Sequence, residues 1–270
     1  MEEPTWNLQL AELWGRYPPP IRPSKDLIRL IQVFVQLTQL ELDDVPKILL
    51  LGSTPEFRDL CSMLKIPLTV VDFSRNNFDA QTRLVTSPIY NETFVQQDWR
   101  DMRLKEQFNL VLAESSLNVV PKKDISSLLL RIREHMKPGA LFVSKTWVVP
   151  RRILTLSEII AEYRAHWSEI DFYSFACGFL WLHFYDWEKD CVSVRQMDTA
   201  IRGLFDAGML TAEEAESVIK LEYPKVDLKI FLPQKNWLFQ VSSNLFDVVL
   251  VTLSDDPNSH LYPVIVFRAK

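Results

Sequence analysis

Five short apolar runs recur through the first half of the chain: 47–51 (KILLL), 68–72 (LTVVD), 93–96 (TFVQ), 109–113 (NLVLA) and 140–144 (ALFVS). Segments able to form helices separate several of them, at 55–65, 75–84 and 122–137. Strands that are apolar almost throughout must be covered on both faces, which is the condition of a parallel sheet flanked by helices. Two further runs, 247–253 (DVVLVTL) and 262–268 (YPVIVFR), are joined only by SDDPNSHL. A parallel crossover needs about a dozen residues or more, so this last pair is expected to be antiparallel. The fold class expected is therefore α/β, a three-layer sandwich. Its seven-stranded sheet is mostly parallel and ends in an antiparallel hairpin.

The connection from 146 to 246 is far longer than one crossover helix requires. It holds LSEIIAEYRAHW, the aromatic stretch 172–187, a helical segment near 195–207, and TAEEAESVI, in which Thr211 and Glu214 form a capping box. A helical insertion over 151–235 is expected, either packing on the sheet or capping its substrate side, between the two parts of one α/β domain (46–150 and 236–270). Ahead of the sheet, residues 4–14 place Trp6, Leu10, Leu13 and Trp14 on one helical face. YPPPIRPS (17–24) holds too many prolines for regular structure, and Ser24 is placed to cap a helix over 25–40. KPGA (137–140) reads as a helix stop followed by a strand start.

A net charge of -5 leaves no basic footprint, so a nucleic-acid partner is not expected and a small molecule is. Three distant cysteines without a CxxC argue against a disulfide framework or a zinc site and for a reducing, cytoplasmic setting. The acidic start MEEPTWNLQL lacks the apolar core of a signal peptide, and the apolar stretch 172–185 is too short to span a bilayer, so no membrane partner is expected.

The ends of the strands carry the chemistry. Ligands of open parallel sheets bind outside the carboxyl ends of the strands. Strand one delivers Gly52, one of only six glycines, followed by Ser53 and Thr54 with hydroxyls and by Pro55, which suits a helix start. Glu56 then falls at a helix N-terminus, where it would repel a pyrophosphate but not a cationic ligand. Strand two ends in Asp72, twenty residues after Gly52 and placed to accept from ribose hydroxyls. Strand three ends in QQDW, whose Asp98 and Trp99 could receive an adenine amino group and flank its ring. Strand four ends in Glu114 and Ser115. Four polar strand ends on one rim point to a nucleoside-containing cofactor.

With ILLLGSTPEF, VVDFS, QQDW, FNLVLAESSLNVVP and LLLRIREHMKPGALFVSKTW in view, the sequence resembles the class I S-adenosylmethionine (SAM)-dependent methyltransferases, over the strand series 47–145 and the terminal hairpin. The resemblance implies a Rossmann-like SAM-binding domain with SAM as cofactor and a small-molecule methyl acceptor. The Gly52 loop, from Ser53 to Glu56, would hold the methionine part. Asp72, with Phe73 beside it, would hold the ribose, Asp98 and Trp99 the adenine, and Glu114–Ser115 would face the sulfonium. The Trp…Tyr17-Pro-Pro-Pro-Ile-Arg22-Pro-Ser24 lead-in looks like that of one methyltransferase subgroup, which implies that the 1–45 segment packs over the cofactor, with Arg22 and Tyr17 folded back on it. Two departures stand out. The loop keeps one glycine where the family commonly has several, and Glu114–Ser115 stands where Asp-Gly is frequent.

A base is needed only if the acceptor must lose a proton. Glu114 and Tyr17 are the catalytic candidates, with His166 or His183 from the insertion behind them, and no metal-ligand spacing occurs. The aromatic set Phe172, Phe175, Phe179, Trp181, Phe184 and Trp187 is expected in the core, with a substrate pocket or an oligomer seam as alternatives. Lys145 either faces an anionic substrate or is solvated. Two other functions fit less well: an inactive SAM-binding or partner-binding module on the same fold, and an NAD(P)-dependent oxidoreductase.

Overall fold

The structure, a computed structural model, describes residues 14–42, 45–219 and 228–270. The helix expected over 4–14 therefore lies, but for Trp14, outside the described residues. Helix α1 (Lys25–Leu42) starts where Ser24 accepts the Leu27 N–H at 3.1 Å. The alternating series follows as β1 (Ile48–Leu51), α2 (Pro55–Met63), β2 (Leu68–Asp72), α3 (Arg75–Thr82), β3 (Glu92–Gln96), β4 (Phe108–Glu114), α4 (Ile125–Glu134) and β5 (Met136–Lys145). The insertion contributes α5 (Leu156–His166), α6 (Phe172–His183), β6 (Val192–Ser193), α7 (Val194–Asp206), α8 (Ala212–Ile219) and β7 (Lys229–Ile230). Helix α9 (Lys235–Ser242) and strands β8 (Phe246–Thr252) and β9 (Val264–Ala269) complete the chain.

The main sheet has seven strands in the order β3-β2-β1-β4-β5-β9-β8. Strand β1 pairs in parallel with β2 and β4, β2 with β3, and β4 with β5. Strand β9 is antiparallel to both neighbours, β5 and β8, so it alone runs against the rest. The short SDDPNSHL link accounts for the antiparallel pairing of β8 with β9, which meet as a hairpin.

Every residue of β1 is buried, which stabilises by about 1.5–3 kcal/mol per side chain and dictates a central position. Its alternate residues feed two cores. Ile48 and Leu50 join Leu27, Ile31 and Phe34 of α1 and Phe57 and Leu60 of α2 on one face. Leu49 and Leu51 join Leu128, Leu129 and Ile132 of α4 and Leu238 of α9 on the other. A third core unites the insertion with the N-terminal segment: Trp14, Tyr17 and Trp147 pack with Phe172, Phe175, Phe179 and Trp181.

Two local readings change. Helix α4 ends at Glu134 and β5 already begins at Met136, because Met136 is buried and pairs with Phe108. KPGA is instead an irregularity inside the strand, where Gly139 at φ +78 lets the ladder shift before Leu141 rejoins opposite Leu110. The two-stranded β6–β7 ladder in the insertion was not expected. The Thr211–Glu214 capping box is present, with bonds of 2.8 and 3.2 Å, and Thr155–Glu158 forms a second one.

Candidate functional site

A cleft opens at the carboxyl ends of β1, β2 and β4, enclosing about 950 Å³ with the open solvent at its mouth included. Across the sheet the lining changes character. Towards β2 it is polar, with Asp72, Asn77 and Gln81; at β1 it is Gly52, Ser53 and Thr54; at β4 it is Glu114, Ser115, Ser116 and Asn118. Beyond β5 it becomes apolar, with Trp147, then Trp181, Val194, Leu228 and Ile230 from the insertion, and Trp14 and Ile21 from the N-terminal segment.

The β1 loop is shaped by one glycine. Gly52 has φ +96, in the left-handed region, and a Cβ there would touch the Trp99 ring at 3.6 Å. Trp99 is fixed in turn by its Nε1–H, which donates to the Val71 carbonyl at 2.6 Å. Ser115, at φ +56, takes the conformation that glycine adopts without strain, so the backbone at the end of β4 keeps its turn without a glycine.

Asp72 is 1% exposed, and its carboxylate is already well solvated by protein. Oδ2 accepts from the Ser53 hydroxyl and the Asn77 amide, both at 2.7 Å, and Oδ1 accepts from the Ser74 N–H at 3.0 Å. Burial still raises its pKa above the ordinary value, against the pull of these donors. Because Asn77 gives its NH₂ to Asp72, its amide oxygen is turned away, and that atom is buried without a partner. The Gln81 oxygen, one helical turn further along α3, is likewise unpartnered. The lining holds two carboxylates, these orphan acceptors, and no Lys, Arg or His among the described residues.

Glu114 is the second carboxylate. In-register pairing of β4 with β5 sets it opposite Lys145, whose Nζ donates to Oε1 at 2.7 Å, with both side chains only 2% exposed. Lys145 also donates to the Pro20 carbonyl and lies 5.3 Å from the Tyr262 ring centre. Burial outweighs the Lys145 attraction and pushes the Glu114 carboxyl up to about 7, with Glu56 and Asp256 adding to the rise. Its Oε2 has no partner.

Several expected residues stand outside the lining. Glu56 and Pro55 do not reach it: the Glu56 carboxylate accepts from the Trp14 indole at 3.1 Å and pairs with Arg22. Arg22 and Tyr17 therefore fold back towards the β1 loop, but as part of this clasp and of the third core. The Tyr17 phenol is buried, which raises its pKa well above the ordinary value. Asp98 pairs with Arg100 through three bonds of 2.5–3.1 Å, and this holds its carboxyl below the usual range. Gly52, Ser53, Thr54, Asp72, Phe73, Trp99, Glu114 and Ser115 do meet at the cleft. His166 and His183 are exposed and off it. Lys145 is neither solvated nor turned to the cleft, since it is buried as the partner of Glu114.

The sequence reading overlooked Asn77, Gln81, Asn118 and Trp147. Asn118 ties three segments together: its NH₂ donates to the Trp147 and Phe231 carbonyls and its oxygen accepts the Trp147 N–H, all at 2.8–2.9 Å. Trp147 in turn needs Gly178 in α6, where a Cβ would sit 2.5 Å from its ring. Trp181 packs 4.6 Å from Trp147, and its indole N–H is buried without a partner. Among the described residues no group of His, Cys, Asp and Glu could hold a metal, and no helix is long and apolar enough to cross a membrane.

No family model matches the sequence, and no curated protein matches it either. Solved structures do resemble it. The CcbJ methyltransferase of Streptomyces caelestis superposes with a TM-score of 0.62 at 14% identity over 96% of each chain. The glycopeptide N-methyltransferase MtfA, solved with S-adenosylhomocysteine (SAH), gives 0.52 at 14% over 87% of this chain and 88% of its own. A Rhodobacter sphaeroides protein described as a Zn-dependent alcohol dehydrogenase gives 0.54 at 15% over 98% and 99%. Likeness at such identities establishes the fold and not the activity. The sheet order is informative in its own right: dinucleotide-binding sheets run 3-2-1-4-5-6, whereas here the antiparallel β9 lies between β5 and β8. The chain has the fold of the class I SAM-dependent methyltransferases.

Proposed function

We propose that the protein is a SAM-dependent methyltransferase acting on a small-molecule acceptor. The observation that carries this reading is the electrostatic character of the cleft: the Asp72 carboxylate, a second carboxylate, Glu114, paired with buried Lys145, unpartnered amide oxygens, and no cation among the described residues of the lining. Such a wall favours a ligand rich in hydrogen-bond donors and positive charge, and it opposes a pyrophosphate. Asp72 would serve the ribose. Rotation of the Ser53 hydroxyl can free a lone pair on its Oδ2. Asn77 and Gln81 supply acceptors on the same side, Phe73 and Trp99 supply ring surface, and the Gly52 turn leaves room for close backbone approach. When bound, SAM supplies a methyl group activated on a sulfonium, so the protein mainly has to orient the acceptor and exclude water. Glu114 stands two strands from Asp72, ~10 Å across the sheet, where it can receive the acceptor's proton.

The test is calorimetric titration with SAH, followed by thermal unfolding. At 100 times Kd the ligand should add about 2.7 kcal/mol of stability. Asp72→Ala should remove this gain, and NAD and NADP should give none. Absence of SAH binding to the wild-type chain would end the proposal.

A further inference from the structure

The methyltransferase reading leaves the acceptor open, but the apolar half of the cleft limits it. Resting on that reading, we propose that the acceptor is a flat, largely apolar ring system with one N–H or O–H nucleophile, seated against Trp147 and Trp181 with that group on Glu114. The walls beyond β5 are Trp147, Trp181, Val194, Leu228 and Ile230. Indole faces favour offset or edge contact with another ring, and they offer little to a sugar or an amino acid.

Among the described residues, two buried side-chain atoms on the lining at this end are without partners, Glu114 Oε2 and Trp181 Nε1. Both belong to buried side chains: that of Glu114 is 2% exposed and Trp181 is 5% exposed. Leaving a buried polar atom unpaired is costly, and both residues line the cleft, so the ligand is the partner we assign to each. Glu114 needs a donor and Trp181 needs an acceptor. None of the described residues of the lining is basic, so among them a carboxylate or phosphate on the acceptor meets no counter-charge.

Charge balance also speaks for a neutral molecule. Lys145 at 2.7 Å already neutralises Glu114, so the site does not call for a cation at this position. In the reaction, the acceptor N or O forms a bond to the methyl carbon. The C–S bond breaks with its electron pair left on sulfur, and the acceptor's proton passes to Glu114 Oε2. A carboxyl pushed up to about 7 is suited to take and return that proton near neutral pH.

The full chain saturated with SAH is titrated by calorimetry with 5-hydroxyindole and 5-aminoindole, and with glucosamine and octylamine as polar and linear comparisons. The two indoles should bind and the comparisons should not. Trp181→Phe should weaken indole binding about three- to tenfold, the worth of one hydrogen bond, while SAH affinity, which also reports folding, stays unchanged. Preferential binding of glucosamine or octylamine overturns the inference. So does SAH binding without indole binding, or indole binding indifferent to Trp181→Phe. If SAH itself does not bind, the methyltransferase reading fails instead.

Discussion

Lys145→Met isolates the buried ion pair. The substitution keeps the volume and removes the cation beside a carboxylate that is 2% exposed. Glu114 Oε2 has no partner already, so the variant leaves the whole carboxylate without one. The Pro20 carbonyl also loses its Lys145 donor. Breaking such a pair from one side costs about 3–5 kcal/mol. At ~2–4 °C per kcal/mol this lowers Tm by roughly 6–20 °C. The pH dependence follows from the direction of the shift. Glu114 is raised from 4.5 to about 7 on folding, so its contribution is fully present below 4.5 and is lost as pH rises towards 7. Without Lys145 the folded carboxyl moves higher still, and the loss extends to more alkaline pH. The deficit against wild type should therefore be small at pH 5 and large at pH 8. The double variant with Glu114→Gln should recover most of it. Urea unfolding of wild type, the two single variants Lys145→Met and Glu114→Gln, and the double variant at both pH values measures this directly. A deficit equal at pH 5 and 8, or a double variant no better than Lys145→Met, would refute the reasoning.

Three further outcomes are expected. Glu92→Gln should destabilise by about 3 kcal/mol or more by denaturant unfolding, because Arg58 is fully buried with two bonds to Glu92 at 2.7–2.8 Å and sits 4.4 Å over the Phe78 ring. Thr155→Ala removes one capping box from α5 and should cost about 1 kcal/mol in the same assay. Burial pushes the Cys61 thiol up to about 12 and Cys177 well above its ordinary value, whereas Cys191 is only partly buried. A thiol reagent at pH 8 should therefore label Cys191 alone in the native protein and all three cysteines in urea.

The central strands were legible because burial on both faces leaves little choice of residue. ILLL and LTVVD can hardly be anything else. The carboxyl-end rim was legible for the same reason, since each polar residue interrupts an apolar run. What was hidden depends on partners distant in sequence. Asp98 reads as a ligand for adenine until Arg100 and Asp124 are seen around it. Glu56 reads as a free charge until Trp14 and Arg22 arrive from more than thirty residues away. The Glu114–Lys145 pair follows only from the register of β4 on β5. Asn77 and Gln81 did leave a trace: RNNFDAQT is a helix without an apolar stripe, so its buried face had to be polar. Trp181 was already among the aromatic residues with a substrate pocket as an alternative, but nothing in the sequence set it apart from Phe172, Phe175 and Phe179, which fill the core.

Gly178 gives the cleft a separate degree of freedom. Trp147 forms part of the apolar wall only because the helix facing it carries no side chain at that position. Any larger residue there must displace the indole or move α6, so the shape of the wall is governed from behind it. On the proposed reading, a lineage could thus trade one acceptor for another by a change at a residue behind the wall, with the two carboxylates and the polar half of the cleft inherited intact.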